Sequence, residues 1–291
     1  MSWRAVLTIG MALALSACGN TASRGVTHAA SASPRPSPTP SASASADGGA
    51  NVTPGLKGAG GPSQPGAAVA PGAGIKRSTS AAPAPRGFPN MSVPAEGSYS
   101  VNINSADYTG PGTISISARP AAQPGDHTIR RETKTPKGSE AETLSWRADG
   151  VYMLQTTLSS PSTGAVDCNW QPEILDFVIP AGKGQQWSSS STCPVSFGAT
   201  TGSVEETSDE TITDASTLTI GADTVQVWVV KVHLVLTYKA AAGSFTSTTD
   251  GTAWVAPAIG MIVKQTGSTT TGGSTAPPRS TSMEMTSIHP S

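Results

Sequence analysis

Thr224-Val225-Gln226-Val227-Trp228-Val229-Val230-Lys231-Val232-His233-Leu234-Val235-Leu236-Thr237-Tyr238 contains no Gly or Pro and is dominated by β-branched and aromatic residues. Such residues lose side-chain freedom in a helix and pack well on a pleated surface, so the stretch reads as a strand. Side chains alternate across a strand. Trp228, Val230, Val232, Leu234, Leu236 and Tyr238 therefore share one face, the expected core face. Val225, Val227, Val229, Lys231, His233, Val235 and Thr237 share the other. At ~3.3 Å per residue the element runs roughly 50 Å, longer than an ordinary strand, which predicts bending within a large twisted antiparallel sheet.

The neighbouring sequence supports that sheet. Ser203 to Thr213 and Ala215 to Ile220 are Thr-rich strands, and Gly221-Ala222-Asp223 turns the chain into the long one. Phe245 to Val255 leads through Ala256-Pro257-Ala258-Ile259-Gly260 into Met261 to Gln265, a returning strand. Ser98 to Asn104 and Thr113 to Ser117 alternate cleanly around a Gly-Pro-Gly break, and His127 to Thr133 reads as a polar, basic edge strand. Asp149-Gly150 is a strong type I′ hairpin signal between Leu144–Ala148 and Val151–Gln155. That turn pairs Trp146 with Met153 and Arg147 with Tyr152, giving sulfur–aromatic and cation–π contacts. About ten strands and little helix result: an all-β antiparallel meander, curled into a half-barrel or barrel over residues 96–267.

Cys168 and Cys193 are expected to form a disulfide, since export places them where disulfides persist. Between them, Ile174 to Val178 fits either one helical turn or a short strand ended by Pro180. After Gly267 the composition is Ser, Thr, Gly and Pro, and residues 268–291 are expected to be disordered.

Upstream, Met1-Ser2-Trp3-Arg4 and the apolar run Ala5 to Leu15 form a secretory signal over residues 1–17. Leu15-Ser16-Ala17-Cys18 resembles the lipobox of bacterial lipoproteins. The resemblance implies that Cys18 is diacylated, with palmitate-like chains, and becomes the new N-terminus. Two chains supply stable membrane anchoring at ~0.8 kcal/mol per buried methylene. Residues 18–95 are Ser, Ala, Pro and Gly in varying order, too poor in apolar surface to offset chain entropy, and read as a disordered tether. The expected location is therefore extracytoplasmic, lipid-anchored to the cell membrane.

Formal net charge is -1, which gives no electrostatic reason to expect nucleic acid. There is no Gly-x-Ser-x-Gly, no Cys with a plausible His partner, no dinucleotide fingerprint and no metal-ligand spacing. No catalytic, cofactor or metal residue is assigned, and the chain is expected not to be an enzyme. His233 reads as solvent-facing or hydrogen-bonded, and Glu205, Glu206, Asp209 and Glu210 as a solvated hairpin end. Trp146, Trp228 and Trp254 are candidate ligand-lining residues, although large aromatics also serve any β core.

Thr252 to Lys264 resembles the closing hairpin of many bacterial envelope lipoproteins, and Pro172 to Pro180 followed by Gly182 and Trp187 resembles their middle signature. Such proteins are similar in outline to the LolA-like and LppX-like carriers, whose curved sheet cups a lipid. The resemblance implies a lipid or other hydrophobic ligand on the concave face. The alternative expectation is a structural or adaptor module that binds another envelope protein and has no cavity.

Overall fold

The computed structural model describes residues 74–77, 88–121, 123–161, 164–197, 200–241 and 243–291. The signal segment, Cys18 and most of the expected tether lie outside the described residues. The described elements are all strands: β1 (Ile75–Arg77), β2 (Gly97–Asn104), β3 (Thr109–Arg119), β4 (His127–Thr135), β5 (Gly138–Arg147), β6 (Gly150–Ser160) and β7 (Gly164–Val178). They continue with β8 (Gln186–Phe197), β9 (Thr200–Ile220), β10 (Asp223–Ala240), β11 (Gly243–Ala256), β12 (Met261–Thr271) and β13 (Arg279–Met285).

Antiparallel pairing runs from β8 down through β2, then β13 down to β9, and β9 pairs with β8 again. Twelve strands thus close into a barrel, and β1 is an extra strand on β8. Closure removes the exposed edges that an open meander would carry.

β10 follows the expected alternation, with Trp228 and Leu234 each 1 % exposed. Its inward residues continue across the ladders: Val230, Val232 and Leu234 stand opposite Ile212, Glu210 and Ser208 of β9. A bulge between Val229 and Val230 bends the pairing, as the length of the element required. At the start of β10 both faces are buried, since Val225 and Val227 are hidden as well as Trp228. Phe88 stacks on Trp228 with ring centroids 4.2 Å apart, Ser92 N donates to Pro257 O, and His289 reaches Asp223 at 3.2 Å. Segments from both flanks of the barrel therefore fold back onto this end.

Several expectations are corrected. The tail does not remain unstructured: β12 extends to Thr271, and β13 joins β12 to β2, burying Met283 and Met285. Part of the expected tether is ordered too, as β1 and as the docked residues from Phe88 onward. β4 is not an edge strand but lies between β3 and β5. Its basic character is absorbed inside, where Arg131 Nε and Nη2 donate to Glu142 Oε2 at 2.9 and 2.7 Å.

The β5–β6 turn falls on Ala148-Asp149, one residue earlier than the sequence suggested, pairing Arg147 with Gly150 and Leu144 with Met153. The faces survive this shift, and the Arg147 guanidinium still lies 4.5 Å from the Tyr152 ring centroid. Gly150 serves packing instead of turn geometry: a Cβ there would lie 2.6 Å from Leu175 Cδ1 and 2.7 Å from Phe177 O. The ambiguous Ile174 to Val178 run is strand, the last part of β7.

Candidate functional site

The three candidate tryptophans do not converge. Trp146 is buried on β5, and Trp228 is buried beneath Phe88. Trp254 stands opposite Val229, on the other face from Trp228, half-buried with Lys264 Nζ 5.8 Å from its ring centroid. Strand parity separates Trp228 from Trp254 whatever the curvature of the sheet.

Among the described residues, inward positions of the barrel are occupied by closely buried side chains. Val101, Ile114, Leu144, Ile212, Leu234 and Met283, drawn from six strands, are each no more than 1 % exposed. Side chains lining an empty ligand-sized chamber would present surface to it, and these present almost none. Polar residues share the interior, including the Arg131–Glu142 pair, Thr249 and Gln265. Glu206 and Glu210 also point inward and are buried, while Glu205 and Asp209 alternate outward. The expected solvated hairpin end is thus the middle of the long strand β9.

Outside, Asp209, Lys231, His233 and Asp250 meet on β9, β10 and β11 around an open depression of about 560 Å³. His233 Nδ1 lies 2.8 Å from Asp250 Oδ1, and Lys231 Nζ donates to Thr252 Oγ1 at 2.8 Å. His233 is therefore both solvent-facing and hydrogen-bonded. Outward positions here are Thr, Lys and Asp, the reverse of the apolar band that a lipid-facing barrel presents.

The most elaborate side-chain cluster lies where the β5–β6 turn meets β7 and β1. Arg147 donates to both carboxylate oxygens of Glu173 and to Asp126 Oδ2, which also accepts from Ser145 Oγ at 2.9 Å. Its hydrogen bonds to Glu173, opposed by burial and helped by charge attraction, hold the guanidinium above its ordinary pKa. Tyr152, under that guanidinium, donates to Asp149 Oδ2 at 2.8 Å. Burial, with the Asp149 hydrogen bond second, raises the phenol pKa.

Arg77 of β1 completes the cluster by donating to Asp149 O at 3.1 Å, to Asp149 Oδ2 at 2.9 Å and to the Tyr152 hydroxyl. Sequence reasoning found the Arg147–Tyr152 contact through the hairpin. It missed Arg77, which sits in a Gly- and Ser-rich context far from its partners in the chain. Further along the same strands, Cys168 and Cys193 are joined across β7 and β8, with Cα atoms 5.4 Å apart. Among the described residues no group of three His, Cys, Asp or Glu side chains is arranged to hold a metal ion.

No protein-family model and no curated protein significantly matches the chain. Among solved structures, it is similar to the hypothetical lipoprotein YmcC from Escherichia coli K12, at 10 % identity and a TM-score of 0.33. The match covers 67 % of this chain and 86 % of that one.

Proposed function

We propose that the chain is a non-enzymatic adaptor or structural module of the cell envelope, held at the membrane through acylated Cys18. The filled interior carries this reading over the carrier alternative. A lipid carrier needs a chamber that hides an acyl chain, whereas the inward side chains already pack against one another. The anchor rests on the Leu15-Ser16-Ala17-Cys18 motif. The polar outer face, with its Asp209–Lys231–His233–Asp250 depression, supplies surface for another envelope component.

Native mass spectrometry of the purified protein, followed by solvent extraction, tests the choice. The expected mass is the polypeptide plus the Cys18 modification. A stoichiometric lipid retained by a Cys18→Ser variant would favour the carrier reading.

A further inference from the structure

β7 and β8 form only one ladder pair, Gln171 with Thr192. Beyond it the backbone of β8 turns to β1: Ser189, Ser188 and Trp187 pair with Ile75, Lys76 and Arg77, and Ser190 N donates to Gly74 O at 2.8 Å. β7 is met by side chains instead. Ser189 Oγ accepts from Leu175 N at 3.2 Å and donates to Leu175 O at 3.3 Å, and Ser191 Oγ donates to Pro172 O. β1 therefore occupies a slot at a splayed seam.

The slot reads three of the four residues it holds. At Gly74 a Cβ would lie 2.6 Å from Ser190 O and 2.8 Å from Pro172 Cγ, so only glycine fits. Ile75 is partly buried against the core. Lys76 is exposed and makes no demand on identity. Arg77 enters a receptor built by Asp149 and Tyr152, with Tyr152 held beneath Arg147. That receptor belongs entirely to the barrel and does not depend on where the arginine comes from.

We propose that this seam is a strand-acceptor site, filled in cis by Gly74–Arg77, which takes an extended peptide of the same chemistry in trans: glycine, an apolar residue, any residue, arginine. Strand addition supplies main-chain hydrogen bonds, and the pockets at alternate positions supply selectivity. The cis strand is suited to exchange because its ladder is three residues long and its flanks are rich in Gly, Ala, Ser and Pro. The proposal deepens the adaptor reading, on which it rests for the existence of a partner. Peptide uptake is measured on this chain alone, so the slot can fail while the adaptor reading stands, and the adaptor reading can fail while the slot stands.

The test uses the full chain and a fluorescent peptide of residues 72–80, followed by anisotropy. In the wild type the cis strand competes and uptake is weak. Arg77→Ala, or Gly74→Val as an independent way of ejecting β1, should tighten peptide binding by about tenfold or more, because apparent affinity scales with the fraction of open sites. A peptide carrying alanine at the arginine position should bind each variant about tenfold or more weaker than the arginine peptide does, and Asp149→Asn in the Arg77→Ala background should remove that difference. Thermal melting of each variant reports whether the barrel is retained. Equal binding to wild type and both variants while the barrel melts cooperatively would overturn the proposal. So would self-association of the variants without peptide uptake, which would assign the slot to exchange between copies.

Discussion

Arg131 and Glu142 show most directly what the barrel requires of single residues. Their side chains are 4 % and 2 % exposed, so the pair has exchanged hydration for one another. Removing the cation leaves a buried carboxylate with its desolvation uncompensated. Arg131→Ala should therefore cost about 3–5 kcal/mol in chemical unfolding, whereas Arg131→Met with Glu142→Leu should restore much of the loss. A double variant no more stable than the single would show that packing, not charge, sets the cost. This pair was not legible in the sequence, because register decides which charges on neighbouring strands face each other and go inside. The apolar alternation of β10 was legible, since each of its residues reports its own face.

Tyr99 and Tyr152 set a pH response at the same scale. Burial raises both phenol pKa values above the ordinary value of 10.0. A raised folded pKa means that the neutral phenol is favoured in the fold. The associated stability is fully present below the ordinary value and is lost as pH rises through the folded one. Melting temperature should consequently fall above about pH 10, and less steeply when Tyr99→Phe and Tyr152→Phe are combined. Identical alkaline slopes in the two proteins would contradict this assignment.

Among the elements, β7 and β8 depend most on covalent help. A sheet join normally rests on its ladder, and this one has a single pair, supplemented by Ser189, Ser191 and the Cys168–Cys193 bond. The bond closes a loop of sequence separation 25. In the chain-entropy model, a loop of that size gives roughly 3–3.5 kcal/mol. Replacing both cysteines by serine should lower the unfolding free energy by about that amount, and hydrogen exchange should rise first along β8. Uniform exchange across the barrel would argue that the seam is no weaker than its neighbours. The strands found from sequence were mostly those with apolar alternation or a Thr-rich run. β1, β8 and β13 escaped: β1 has three residues, β8 carries four successive serines from Ser188 to Ser191, and β13, Arg279-Ser280-Thr281-Ser282-Met283-Glu284-Met285, carries its apolar signal on two methionines only.

At the scale of the molecule, closure depends on the last strand. β13 pairs Met283 with Ile103 and Met285 with Val101, and on its other edge pairs Gln265 with Met283. It is the bridge between the first and last parts of the barrel, so a chain ending at residue 278 would leave two strand edges unpaired and the interior open. Met283→Ala alone should cost about 2–5 kcal/mol, as a buried side chain lost from a packed core. The truncation should abolish cooperative melting and near-ultraviolet dichroism, because twelve strands that share one interior cannot shed one and keep the rest packed. Asn102, Lys264 and Glu284 lie on adjoining strands of this bridge, with Lys264 Nζ 3.4 Å from Glu284 Oε2, but this half-exposed pair adds little to closure. Glu284→Gln is therefore the matched control and should melt within about 0.5 kcal/mol of the wild type. If the truncated chain melted as sharply as that control, the C-terminal strand would be an ornament on an eleven-stranded sheet, and the barrel's cooperativity would have to come from the other strands alone.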